Sequence, residues 1–166
     1  MPKKATKAAE NVLYKARMEA AKWNENLSSR EGTADESGLD RTRIANMELG
    51  VITPYPEEIL RLSDLYRAPE LCNYYCSHQC PIGKRMIEPV EMTAIEVATL
   101  QLLSSVRNLP DVTDDLVDIV EDGQIDASER SKMEHILETL NRAADKIKAL
   151  ELIYMKKLGM EAAGYG

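Results

Sequence analysis

Residues 28–50 read SSREGTADESGLDRTRIANMELG, and the helix punctuation in that stretch decides the fold. Ser28 followed three residues later by Glu31 is a capping-box start, in which a hydroxyl and a carboxylate satisfy the orphan amides of a helix N-terminus. Gly38 supplies the left-handed backbone that closes one helix, Asp40 is a good N-cap for the next, and Gly50 ends it. The expectation is two short helices joined by a tight turn, the second over 41–49 with Ile44 and Met47 facing inward. Gly32 lies inside the first helix and weakens it by about 1 kcal/mol relative to alanine.

Working outward, residues 6–23 are expected to form one helix, because Ala9, Val12, Leu13, Ala16, Ala20 and Trp23 recur at three- and four-residue spacing. Asn24, Glu25 and Asn26 break that pattern. Downstream, Thr53-Pro54-Tyr55-Pro56 leads into a fourth helix with Pro56 in its first turn and Ile59, Leu60, Leu62 and Tyr66 on the buried side. Pro69 ends it, and a fifth short helix starts there.

Composition agrees with helices. The 166 residues are 44% hydrophobic and 30% charged, with no Phe, one Trp, eight Gly and seven Pro, so the core is aliphatic and methionine-filled and turn breakers are few. The predicted fold class is all-α. No run of 18 apolar residues occurs, and the lysines after Met1 precede no apolar stretch, so the reading is a cytoplasmic protein that does not enter a membrane. Charge is uneven. Residues 1–89 carry 13 basic and 13 acidic residues and residues 90–166 carry 8 and 15, which places the whole net charge of -7 in the second half. Phosphate would repel that half, so any nucleic-acid contact falls to the first.

The second half reads as an acidic helical assembly region over 90–166. Ile95, Ala98, Leu102, Val106 and Leu109 form one stripe closed by Pro110, and Val112, Leu116 and Val120 form a shorter one. A long final helix is expected over 127–158, with Met133, Leu140, Ile147 and Tyr154 seven apart and Ile136, Ala143 and Leu150 between them. That seam suits a homodimer through the C-terminal helices, or packing inside one chain. Residues 118–129 fit a calcium loop at six positions, but Val120 spoils the third, where an oxygen is needed. The mechanical reading is that Asp126 caps the last helix and Glu129 completes a capping box.

Three cysteines and one of the two histidines fall within residues 72–80, in a connector over 72–89. Cys72 and Cys76 share a helix face at i and i+4, and a turn through Pro81 would bring His78 or Cys80 back toward them. Four soft ligands of this kind suit tetrahedral zinc, with an iron-sulfur cluster as a further candidate. A thiol switch, or small apolar side chains packed against a neighbour, are the other readings of the same residues.

Residues 30–50 resemble the helix-turn-helix of the phage-repressor or Cro-like (XRE) family, and the likeness extends over about residues 10–71. Ala34 takes the small position where two helices cross, Gly38 the turn, Ile44 the buried position of the recognition helix, and Glu48-Leu49-Gly50 is similar to the family's Glu-x-Gly ending. The resemblance implies a helix-turn-helix domain over 1–71 and binding of double-stranded DNA as a transcriptional regulator. Arg41, Thr42, Arg43 and Asn46 would reach base edges in the major groove, with Arg43 the first candidate for guanine, while Ser29 and Arg30 lie near a phosphate. It also implies an ion pair between Arg17 and Glu48. Thr33 and Ser37 stand where the family places larger apolar residues, and residues 22–26 lengthen the first connection. Between residues 28 and 50, three arginines face five acids, a net of -2. That balance keeps open an alternative, a protein-interaction adaptor or metal-binding module on the same scaffold. No phosphate loop, paired-carboxylate cleft or nucleophile-base pair is present in the sequence, so no enzyme is expected.

Overall fold

The structure is a computed structural model that describes residues 7–107, 109–120 and 125–161. Among the described residues it is all-helical, without strands. The chain divides after Pro89 and again after Tyr154: one unit holds the residues up to Pro89 together with those from Met155 on, and the other is Val90–Tyr154.

The first unit opens with a 3-10 turn, Lys7–Glu10, followed by α1 (Val12–Ala20). The single helix expected over 6–23 is thus interrupted. Asn11 takes the N-cap: its Oδ1 accepts from the Leu13 amide at 2.8 Å and its Nδ2 donates to the Met47 carbonyl at 3.1 Å. A short polar side chain that bonds locally and across to another helix outcompetes one more turn of helix. A second 3-10 turn, Glu25–Ser28, leads into α2 (Arg30–Ser37), whose cap is Ser29 rather than Ser28. Ser28 is consumed by the 3-10 turn, whereas Ser29 is extended and its Oγ accepts from the Gly32 amide at 3.0 Å. Gly32 has a packing reason: a Cβ there would overlap the Asn26 carbonyl oxygen. Residues 24–26 are clamped onto α2 by Glu36, which accepts from Asn24 at 2.8 Å and Asn26 at 2.9 Å.

Gly38 closes α2 with φ 68°, and α3 (Arg41–Glu48) starts under an Asp40 cap that accepts from the Arg43 amide at 2.9 Å. Next come α4 (Pro56–Tyr66), α5 (Glu70–His78) and the short α6 (Gly83–Met86). The core gathers Leu13, Ala16, Ala20, Leu27, Ile44, Met47, Ile59, Leu62, Tyr66, Ala68 and Leu71. Leu27, Ile44, Met47 and Leu62 are fully enclosed, each worth about 1.5–3 kcal/mol of apolar burial. Leu60 is exposed, contrary to its expected place inside. It lies about 100° around the helix from the stripe shared by Ile59, Leu62 and Tyr66.

The buried hydroxyls of this core are satisfied. Thr33 is fully buried and donates to the Ser29 carbonyl at 2.9 Å, and buried Ser37 accepts from the Leu39 amide at 3.2 Å. Burial also pushes the Tyr66 hydroxyl far above its ordinary pKa. Where α4 ends, Arg67 adopts φ 53°, stacks over Trp23 at 4.4 Å and donates to the Gly159 carbonyl at 2.7 Å. Lys156 pairs with Glu70 beside it, so the stretch around Lys156 and Gly159 belongs to this unit's packing.

The second unit holds α7 (Ile95–Val106), α8 (Leu109–Val120) and the N-terminal part of α9 (Arg130–Glu161). Pro110 does not close α7: it lies in the first turn of α8, where its missing N–H costs nothing. Val112, Ile119 and Ile136 form the core, with Leu116, Met133 and Leu140 against it. The seam along α9 is therefore divided. Ile136 and Ala143 are buried, while Ile147 and Tyr154 are each 54% exposed. Before α9, the Asp126–Glu129 capping box is formed: Asp126 Oδ1 accepts from the Glu129 amide at 3.1 Å and Glu129 accepts from the Asp126 amide at 3.0 Å. The middle of the calcium-loop-like stretch, residues 121–124, lies outside the described residues. No helix among the described residues is long and apolar enough to cross a membrane.

Candidate nucleic-acid interface

The N-termini of α2 and α3 open onto one side of the first unit. An open depression of about 440 Å³ lies there, with Tyr14, Arg17, Ser29, Arg30, Glu31 and Arg41 among its lining residues. Helix N-termini carry partial positive charge, which favours an anion beside them. On α3, Arg41 and Thr42 are exposed, and Arg43 and Asn46 are half-buried.

Each arginine of the motif has a carboxylate partner, as does Arg17 of α1, and the four pairs differ in burial. Arg17 Nε meets Glu48 Oε1 at 2.6 Å and Arg17 Nη2 meets Oε2 at 3.2 Å, forming the pair that the family likeness implies. The same guanidinium donates to the Leu27 and Ser28 carbonyls at 2.9 and 3.0 Å, which ties the turn before α2 to α1. Arg30 donates to the second oxygen of Glu48 at 2.7 Å. Arg43 makes a two-pronged pair with Glu58 of α4, including Nη2 to Oε2 at 2.8 Å, and lies 4.5 Å over the Tyr55 ring. The Arg43 guanidinium holds the Glu58 carboxyl below the usual carboxylate range against the upward push of burial, and the Tyr55 amide, which donates to Glu58 at 2.7 Å, adds to it. Arg41 is paired with Glu31 at 3.1 Å, but both side chains are mostly in solvent. A pair so exposed is worth about 0–1 kcal/mol.

Among the arginines singled out in the sequence, Arg41 is thus the easiest to release. Arg43 is built into the α3–α4 junction. Glu58 and Tyr55 are absent from the residues singled out in the sequence; the available signal was a glutamate in the first turn of the Pro56 helix, where a carboxylate can reach back to the cap amide.

The cysteine segment is part of the first unit. Leu71 is in the core, and Cys72 and Tyr75 pack against it. Cys72, Cys76 and Cys80 are free thiols, all half-buried. Burial pushes the Cys76 thiol up, and its neighbours Cys80 and Cys72 push it further. His78 stands apart: its ring stacks on Tyr74 at 4.3 Å between centroids, and Nδ1 lies 2.8 Å from Ser77 Oγ and 3.2 Å from the Tyr74 carbonyl. His78 is two positions on from Cys76, which on a helix puts them on opposite sides. As the side chains stand, no three His, Cys, Asp or Glu groups among the described residues are gathered closely enough to hold a metal.

No family model matches the chain, and neither a curated protein nor a solved structure matches it.

Proposed function

We propose that the chain is a transcriptional regulator that binds double-stranded DNA through α2 and α3, in the manner of the repressor-like family that residues 10–71 resemble. The observation that carries this reading is the shared depression at the two helix N-termini, which joins Ser29 and Arg30 to Arg41 on one rim. In this reading the α2 N-terminus and Arg30 meet a phosphate, and α3 enters the major groove with Arg41, Thr42 and Asn46 toward the base edges. Arg43 serves chiefly to hold α3 on α4, since its Nε and Nη2 are engaged by Glu58. An eight-residue recognition helix is about 12 Å long and spans few base pairs. The reading therefore includes a homodimer that presents two such helices, joined through exposed apolar side chains of the second unit such as Leu100, Leu103 and Ile147.

One observation favours a second reading, a protein-interaction scaffold: Arg30, Arg41 and Arg43 each lie against a carboxylate. Selection of genomic fragments at low salt, followed by salt titration of the enriched sites, separates the two. The DNA reading expects an enriched sequence with repeated half-sites. It also expects Arg41→Ala to lower affinity and to reduce the salt slope by about 0.9. Absence of any retained duplex at low salt would overturn it and leave the scaffold reading.

A further inference from the structure

The thiols on α5 and in the turn after it are not used by the DNA reading. Their spacing has a definite chemical consequence. Cys72 and Cys76 lie at i and i+4 of α5, so their Cβ atoms are about 5–6 Å apart. A disulfide needs Cβ atoms about 3.5–4.5 Å apart, and a regular helix does not offer that. Two metal-sulfur bonds of about 2.3 Å do span the gap, which is why ligand pairs at i and i+4 recur in helical zinc sites.

The way α5 ends sets where the third thiol stands. The Gln79 and Cys80 amides both donate to the Tyr75 carbonyl, at 2.8 and 2.9 Å, so the chain curls at Cys80 instead of running straight on. Gly83 then presses its backbone onto the Cys76 carbonyl, so closely that a Cβ would overlap the oxygen. From that position the Gly83 amide donates to Cys80 Sγ at 3.4 Å. That contact fixes where the Cys80 sulfur stands relative to the turn.

We propose that Cys72, Cys76 and Cys80 bind one thiophilic cation of the Zn²⁺ class, with His78 outside the ligand set and the fourth position left to solvent. The sulfurs must close in for this. Rotation of a half-buried cysteine between staggered χ1 wells moves Sγ by about 3 Å without moving the backbone. His78 is excluded by its place on the other side of α5, stacked on Tyr74. The proposal stands independently of the DNA reading.

The test is a titration of the reduced, metal-free full chain with Cd²⁺, following thiolate-to-metal charge-transfer absorption, and with Zn²⁺ in competition with a chelator. One equivalent per chain is expected to saturate the band. Cys72→Ser, Cys76→Ser and Cys80→Ser should each weaken binding at least about tenfold, with helical circular dichroism retained, while His78→Ala leaves it unchanged. A thermal midpoint raised by Zn²⁺ in wild type, and in His78→Ala but not in Cys80→Ser, is the second expected readout. No band at stoichiometric Cd²⁺, a band that survives the serine variants, or its loss in His78→Ala would each overturn the proposal.

Discussion

The Arg17 guanidinium sits on the Glu48 carboxylate, Nε to Oε1 at 2.6 Å, with the side chains only 4% and 1% exposed. Glu48 also takes Arg30 on its other oxygen, so one buried carboxylate joins α1, the start of α2 and α3. Breaking such a pair from one side leaves a charge stranded in low dielectric, which costs about 3–5 kcal/mol. Glu48→Ala should therefore lower stability by that order in denaturant unfolding. A paired Arg17→Met, Glu48→Leu variant should lose clearly less, and equal losses would show that the charge imbalance is not what matters.

The Arg43–Glu58 pair makes a pH prediction. The folded state holds the Glu58 carboxyl below its ordinary value of 4.5, so the unfolded chain takes up the proton first as pH falls. The pair's contribution is fully present above about that ordinary value and is lost as pH drops through the lowered folded one. Wild type should lose more stability than Glu58→Gln between neutral pH and strong acid. Parallel pH profiles of the unfolding midpoint for the two proteins would refute this.

Gly32 should behave opposite to its helix propensity. Alanine in a helix interior normally gains about 1 kcal/mol over glycine, yet a Cβ at this position would overlap the Asn26 carbonyl. The backbone oxygen cannot swing away as a side chain would. Gly32→Ala is expected to lower the thermal midpoint by several degrees; a rise would mean that residues 24–26 yield freely.

The exposed apolar side chains of the second unit predict self-association. Leu100 is 68% exposed and Leu103 52%, a stripe that water hydrates unfavourably. Sedimentation of wild type should show a dimer that dissociates on dilution, and Leu100→Glu with Leu103→Glu should be monomeric with unchanged helicity. A wild type that is monomeric at every concentration would remove the dimer from the functional proposal.

Much of the first unit was legible from local chemistry. The Asp40 cap, the positive-φ Gly38 and Gly50, and the inward Ile44 and Met47 depend on one helix turn at a time, and each is found in the structure. The misreadings have one cause in common: two local options of similar energy. Ser28 and Ser29 are equally good caps until the 3-10 turn consumes the first, and Pro110 can follow one helix or begin another. The divided seam on α9 is similar, since periodicity marks which residues are apolar but not which of them a neighbouring helix covers.

Residue spacing alone thus determined an all-helical chain, its caps and turns, and a thiol-rich segment at i and i+4, because these rest on contacts within a few residues. Tertiary structure decided which charges are available. Arg43 and Glu58 are 15 residues apart and Arg30 and Glu48 are 18 apart, and the Coulomb energy that ties each pair depends on a distance in space that only the packed helices set.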